Sequence, residues 1–259
     1  MSTALTSRPA APAAGVPPAE PGMPPRTRWW VEALVVIWLL WVYDAINNLA
    51  ALRVQQALSN ARSILHLEQT LGIDPERSLD VWMAHHQTVG LIVSDYYDNA
   101  HFIVTLGLLA WLWWKRPDVY RPMRNALVLV NVIGFVVFWR FPVAPPRMLA
   151  GFTDVVAATG AIGSWHTGAL ASQANEYAAM PSLHMGWAVW CTVAVWRITS
   201  RTWLRVLAVI YPFLTAFAVL STGNHFVLDV LGGLAAIAAA LALSSLPARA
   251  GSRARAAPA

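Results

Sequence analysis

The chain sets three short polar stretches, Arg140-Phe-Pro-Val-Ala-Pro-Pro-Arg147, Met180-Pro-Ser-Leu-His184 and Asn224-His225-Phe-Val-Leu-Asp229, at the edges of long apolar runs. Ionisable side chains are costly at such positions and usually have a function there. The pattern therefore predicts membrane helices that carry a candidate functional site at their ends.

Composition supports a membrane location. The chain has 259 residues, of which 57% are hydrophobic and 12% charged, whereas a soluble domain carries about 25% charged residues. The net charge of +5 comes from arginines scattered between apolar runs, without a nucleic-acid-binding motif. We therefore predict the bilayer as a partner and exclude nucleic acid.

Six runs approach the roughly 20 apolar residues that a spanning helix needs. They are Trp30–Ala50, Ala100–Trp114, Asn125–Trp139, Leu183–Trp196, Leu204–Leu220 and Phe226–Leu246. They predict an all-α polytopic membrane protein with a bundle of six transmembrane helices. We expect residues 29–246 to form this membrane domain, residues 1–28 a disordered cytoplasmic tail, and residues 247–259 a basic cytoplasmic tail.

Residues 53–99 interleave polar and apolar positions and do not predict a span. Arg53 to Gln69 has helical periodicity, and Gly72-Ile-Asp-Pro75 predicts a break. Ser78 is a candidate N-cap of a second helix that runs to Val93. We expect both helices to lie at the outer surface and to cover the site.

The distribution of basic residues predicts the orientation. A cytoplasmic N-terminus places most of the 18 basic residues on the cytoplasmic side. The outer side then holds Arg53, Arg62, Arg77, Arg140 and Arg147. We therefore predict a multi-pass protein of the cell membrane with both termini cytoplasmic and all three polar stretches extracytoplasmic.

The histidines indicate phosphoryl-transfer chemistry. His225 and Asp229 are four residues apart, which places both on one face of a helix. The carboxylate can orient the imidazole by accepting its Nδ1 proton, leaving Nε2 free as a nucleophile. His184 can act as general acid and base.

Three further residues are candidates for binding the phosphate. Amides around Ser182 begin a helix, which favours an anionic oxygen. Arg140 and Arg147 can clamp a phosphate, although Arg140, next to Trp139, is equally consistent with an interfacial anchor. The set predicts no metal and no cofactor.

Asp98 and His101, three residues apart, are possible headgroup contacts, as is Asn224. Together with Asp95, Asp98 and His101 also allow a weak metal site, which lacks supporting ligand spacing. A structural hydrogen bond is a third interpretation of these side chains.

Together the motifs resemble the type 2 phosphatidic acid phosphatase (PAP2) superfamily, whose pattern is roughly K-x6-R-P, P-S-G-H and S-R-x5-H-x3-D. The matching segments are Arg140-x6-Arg147, Pro181-Ser-Leu-His184 and His225-x3-Asp229. The resemblance covers about residues 30–246. It implies a six-helix core, a phosphohistidine intermediate on His225, and acid–base work by His184.

The chain departs from this pattern at several positions. Arg140 replaces Lys, Leu183 replaces Gly, and Met148 replaces Pro. Val219 stands where the third motif carries an arginine. The segments around Arg147, His184 and His225 are more similar to the branch that includes fungal inositol phosphorylceramide synthase and bacterial relatives.

The resemblance implies a metal-independent lipid phosphatase or phosphotransferase whose substrate is a lipid phosphate ester. Transfer to water and transfer of a phosphorylated headgroup to a lipid hydroxyl both remain open. Two competing hypotheses are a non-enzymatic transporter or lipid-binding scaffold and a metal-dependent lipid phosphotransferase. The sequence leaves the headgroup, the lipid tail and the oligomeric state open.

Overall fold

A computed structural model describes residues 26–160 and 176–245. Within them the chain forms nine α-helices. They are α1 Trp29–Ala50, α2 Val54–Leu71, α3 Glu76–His85, α4 Gln87–Lys115, α5 Pro117–Arg140, α6 Val155–Thr159, α7 Leu183–Ile198, α8 Thr202–Ser221 and α9 Val227–Ser245. Short 3-10 helices follow α1 at Ala51–Arg53 and lie at Pro146–Met148. The predicted all-α membrane fold is confirmed.

Four helices are long and apolar enough to cross a membrane: α1, α5, α8 and α9. The other two predicted spans lie in α4 and α7. Helix α7 has only 16 residues, and α4 begins well before the predicted span, in a half that carries Asp95 and Asp98. The count of six spans therefore stays a prediction.

Helices α4, α5, α7 and α9 enclose the main apolar core, which contains the buried Leu112, Met123, Trp190 and Ile237. The indole Nε1 of Trp190 donates to the backbone oxygen of Met123 at 2.7 Å and joins α7 to α5. Since lipid offers no hydrophobic driving force between helices, such contacts and close packing hold the bundle together.

The prediction that Ser78 caps one helix running to Val93 is wrong. Ser78 lies inside α3, whose N-cap is Pro75, because the fixed φ of proline favours the start of a helix. Helix α3 ends at His85, and the Nδ1 atoms of His85 and His86 each lie 2.7 Å from the carbonyl oxygen four residues earlier. Histidine rings commonly satisfy the last carbonyls of a helix in this way.

The predicted helix over Arg53–Gln69 corresponds to α2, and the predicted break at Gly72–Pro75 separates α2 from α3. The predicted tails fall almost wholly outside the described residues, so the domain boundaries stay predictions.

Candidate active site

His225 and Asp229 come together at the start of α9. Nδ1 of His225 lies 3.4 Å from Oδ2 of Asp229, and both side chains are buried, with Asp229 0% and His225 4% exposed. The same Oδ2 accepts a hydrogen bond from the backbone N–H of Phe226 at 2.9 Å. Asp229 thus holds the histidine and the first turn of the helix at once.

His225 precedes α9 instead of lying in it, so the expectation that His225 and Asp229 share one face of a helix is wrong in this detail. Phe226 occupies the N-cap position and Asp229 the third helical position. An acidic side chain there often reaches back to the N-cap amide, which is half of a capping box. The i, i+4 spacing still gives the contact, since the bent chain keeps the ring beside the carboxylate.

A backbone anchor fixes the loop before the histidine. The carbonyl oxygen of Val219, at the end of α8, accepts hydrogen bonds from the amides of Asn224 and His225 at 3.2 and 3.1 Å. The Val219 side chain is buried. At the position where the family pattern has an arginine, this chain therefore has an apolar contact and a backbone acceptor.

His184 faces His225 from the first turn of α7. Its Nδ1 lies 3.4 Å from Nε2 of His225, the atom expected to act as nucleophile. Ser182 is the N-cap of α7, and its side chain accepts from the amide of Met185 at 3.4 Å. The Ser182 amide donates to the carbonyl of Asp229 at 2.9 Å, so the second and third motifs are bonded directly.

Arg147 belongs to the same site. A guanidinium N–H donates to Oδ1 of Asn224, and Nε lies 3.2 Å from Oδ2 of Asp154. The backbone amide of Arg147 donates to the carbonyl of Gly223 at 2.8 Å. The guanidinium is therefore aimed before any substrate binds, and its remaining N–H donors can serve an anion.

Arg140 is placed differently. It is exposed, and its guanidinium lies 5.6 Å from the ring centroid of Trp139. This placement matches the interfacial-anchor alternative. Its role as a phosphate ligand stays a prediction.

Helix α4 forms an aromatic wall beside His184. The Tyr97 ring stacks on the His184 ring with centroids 4.7 Å apart. The His101 ring contacts the His184 ring edge-on, with centroids 4.4 Å apart. Between α4 and α8 lies a cavity of about 10 Å³, roughly the room of one water molecule. Asp98 is buried in α4.

The predicted headgroup contacts thus have different surroundings. His101 touches His184, and Asn224 holds Arg147, whereas Asp98 lies buried in the middle of α4. Their role in binding a headgroup stays a prediction.

Sequence reasoning missed three buried acids in α2 and α3. Glu68, Glu76 and Asp80 are all 0% exposed. Glu68 Oε1 accepts a hydrogen bond from the amide of Leu228, in the first turn of α9, at 2.6 Å. Burial raises the pKa of Glu68 to about 9, and the nearby Glu76 carboxyl adds to the increase.

Asp80 lies beside the loop that carries the histidine. Its Oδ2 accepts from the amide of Thr153 at 2.9 Å, and burial raises its pKa to about 6. Gly223 approaches so closely that a Cβ there would lie 3.0 Å from Asp80 Oδ1. A single sequence offers no periodic or motif signal for these acids, although helices covering the site were expected.

The assembled groups are of the kinds that a two-step phosphoryl transfer needs. An oriented imidazole supplies a nucleophile, a second imidazole at 3.4 Å can exchange protons with the leaving and entering oxygens, and a fixed guanidinium can stabilise negative charge.

Comparisons with known proteins point the same way. The family model described as PAP2 superfamily matches residues 62–243, a stretch that contains all three motifs. A search of curated proteins and a search of solved structures each gave no match. Because the match covers well over half of the chain, the protein belongs to the PAP2 superfamily.

Proposed function

We propose that this protein is a membrane enzyme that transfers the phosphoryl group of a lipid phosphate ester through a phosphohistidine on His225. The observation that carries the proposal is the chain of contacts Asp229–His225–His184, in which each step spans 3.4 Å between side-chain atoms. Membership in a superfamily of phosphatases and phosphotransferases supports this class of reaction.

In the first step, Nε2 of His225 attacks phosphorus and the bond from phosphorus to the ester oxygen breaks. Protonated His184 gives its proton to the leaving alkoxide, so a lipid alcohol departs. Asp229 holds the Nδ1 proton of His225 and stabilises the positive charge that develops on the ring. Arg147 stabilises the phosphoryl oxygens in the transition state.

In the second step, neutral His184 removes a proton from water or from an alcohol. The resulting oxygen attacks phosphorus, and the bond between nitrogen and phosphorus breaks. Water gives inorganic phosphate, whereas a lipid hydroxyl gives a new phosphodiester when the transferred group carries a headgroup. The mechanism needs no metal, because histidines and arginine supply the nucleophile, the acid and the compensating charge.

The acceptor is tested by mass spectrometry of the products. Purified enzyme receives a panel of lipid phosphate esters that includes a phosphomonoester (phosphatidate) and a phosphodiester with a headgroup (a phosphoinositol lipid). Each is tested with and without diacylglycerol or ceramide, in the presence of a chelator. Phosphate release alone would identify a phosphatase. A phosphodiester lipid that forms only with the alcohol would identify a headgroup transferase.

A His225→Ala variant provides the matched control, and we expect it to abolish either product. Turnover by this variant at the wild-type rate would contradict the mechanism. A wild-type protein that turns over no lipid phosphate would instead favour the transporter or scaffold hypothesis. Activity lost in chelator and restored by a divalent metal would favour the metal-dependent hypothesis.

A further inference from the structure

A side-chain hydrogen bond joins helix α2 to the first turn of α9. Oε1 of Glu68 accepts a hydrogen bond from the backbone amide of Leu228 at 2.6 Å, across 160 positions of sequence. Glu68 is fully buried, so water does not compete for this bond. The first amides of a helix have no partner within the helix, and here a side chain from a distant helix supplies one.

Leu228 lies between the two residues of the proposed catalytic pair. On one side, the amide of Phe226 donates to Oδ2 of Asp229 at 2.9 Å. In return, the amide of Asp229 donates to the carbonyl of Phe226 at 3.1 Å. Holding the Leu228 amide therefore holds the turn that sets the distance from Asp229 to His225.

Apolar packing fixes the same junction. Phe226 is fully buried in one cluster with Ala61 and Ile64 of α2, and Leu228 packs against that cluster. Glu68 lies on the same buried face of α2 as Ala61 and Ile64. The carboxyl group and the apolar cluster thus join α2 to residues 226–228 as one unit.

The surroundings of Glu68 favour the neutral form of its carboxyl group. Burial raises the pKa of Glu68 to about 9, with a further increase from Glu76 and an opposing decrease from the Leu228 hydrogen bond. A protonated carboxyl keeps its carbonyl oxygen as an acceptor. We therefore expect the position of the acceptor oxygen, and not a negative charge, to matter for the site.

We propose that Glu68 is a positioning residue for the His225–Asp229 pair and acts through the backbone amide of Leu228. The inference rests on the proposed phosphoryl transfer and adds to it a residue outside the three motifs. Under this proposal, helix α2 helps to set the geometry of the His225–Asp229 pair.

Two substitutions separate the position of the oxygen from its charge. Glu68→Gln keeps an acceptor oxygen at the same reach without a charge. Glu68→Asp keeps the acid but withdraws the oxygen by about 1.5 Å, one carbon–carbon bond. Gln69→Ala, at the neighbouring exposed position of α2, is the control for changes in this helix.

We expect Glu68→Gln and Gln69→Ala to retain kcat within about threefold. Glu68→Asp should lower kcat by roughly 10- to 100-fold with little change in KM, because a small misplacement of reacting groups costs rate more than binding. Assays use protein shown to be folded by gel filtration and thermal unfolding. Should Glu68→Asp not accumulate, Glu68→Met, which has similar length and no oxygen, carries the same expectation.

Wild-type kcat in Glu68→Asp, or an equal loss in Glu68→Gln, would overturn the proposal. Failure of both Glu68→Asp and Glu68→Met to fold would also overturn it, by making Glu68 a folding residue. Wild-type protein without turnover would contradict the proposed function itself. Active wild type with an equally active Glu68→Asp variant would contradict only the role of Glu68.

Discussion

Val219 replaces a charged residue of the family pattern, which leaves the positive charge to its neighbours. Where the PAP2 pattern has an arginine, this side chain is apolar and buried, and its carbonyl anchors Asn224 and His225. In the proposed mechanism, the positive charge that stabilises the phosphoryl group must then come from another side chain. Arg147, held by Asn224 and Asp154, is placed to provide it.

Gly223 lies in the loop beside these residues, where an added side chain would be both strained and crowded. Its φ is +70°, and a Cβ would lie 2.9 Å from the carbonyl oxygen of Thr153 and 3.3 Å from Cβ of Arg147. We expect Gly223→Ala to destabilise the protein by about 1–3 kcal/mol. It should also reduce activity strongly, because the shift moves Arg147.

Gly72 provides the matched control. Its φ is +67°, but the space around a Cβ there is open. Gly72→Ala should therefore show backbone strain in thermal unfolding while kcat stays near wild type. Equal loss of activity in both variants would contradict the argument that crowding at Gly223 matters for the site.

At the scale of single elements, the sequence predicted the features that depend on local chemistry. A helix begins at Ser182 as predicted, with Ser182 as its N-cap, and the four-residue spacing brings His225 to Asp229. The first residue of α9 was harder to predict, because it depends on whether the Asp229 carboxylate accepts a hydrogen bond from the amide of Phe226. Ser78 was misread because Pro75 begins the helix earlier.

The acids of α2 and α3 could not be predicted for a physical reason. Glu68, Glu76 and Asp80 lie in a segment with many polar residues, where exposure is the ordinary expectation. Glu68 is buried against α9, and Asp80 against the loop at Thr153. These contacts join residues that are 73 and 160 positions apart. Local sequence patterns cannot predict them.

Gly233 lies where α9 packs closely against the start of α7. A Cβ at this position would run into the carbonyl oxygen of Ser182 and lie 3.1 Å from Cβ of Met185. We expect Gly233→Ala to force the helices apart, costing about 1–3 kcal/mol of stability. Activity should fall with it, because Ser182 and Asp229 are bonded across this contact.

Gly107→Ala is the control for α-helical glycines, since a Cβ at that exposed position of α4 meets open space. It should leave the turnover rate unchanged and should not lower the thermal midpoint, because alanine is the better helix former. A Gly233→Ala protein with both wild-type stability and wild-type activity would show that the two helices are not in close contact.

At the scale of the whole molecule, the buried acids couple stability to pH. Burial raises the pKa of Glu68 from 4.5 to about 9 and that of Asp80 from 3.8 to about 6. Between the unfolded and folded values, the folded protein holds protons that the unfolded chain has lost. Unfolding then releases protons, so stability must fall as the pH rises through these windows.

Thermal unfolding of the purified protein measures this effect. We expect a lower midpoint at about pH 8 than at about pH 6, and a smaller difference in Glu68→Gln, which cannot ionise. The remaining slope in that variant belongs to other groups. Identical slopes in the two proteins would contradict the assignment of a raised pKa to Glu68.

Trapping the phosphoenzyme tests whether His225 carries the phosphoryl group. Enzyme mixed with a lipid phosphate is quenched in base, which preserves phosphohistidine, and its peptides are mapped by mass spectrometry. We predict phosphate on His225 in the wild type and in Gln69→Ala, and none in His225→Ala. Phosphate on a different residue, or turnover that persists in His225→Ala, would show that His225 is not the nucleophile.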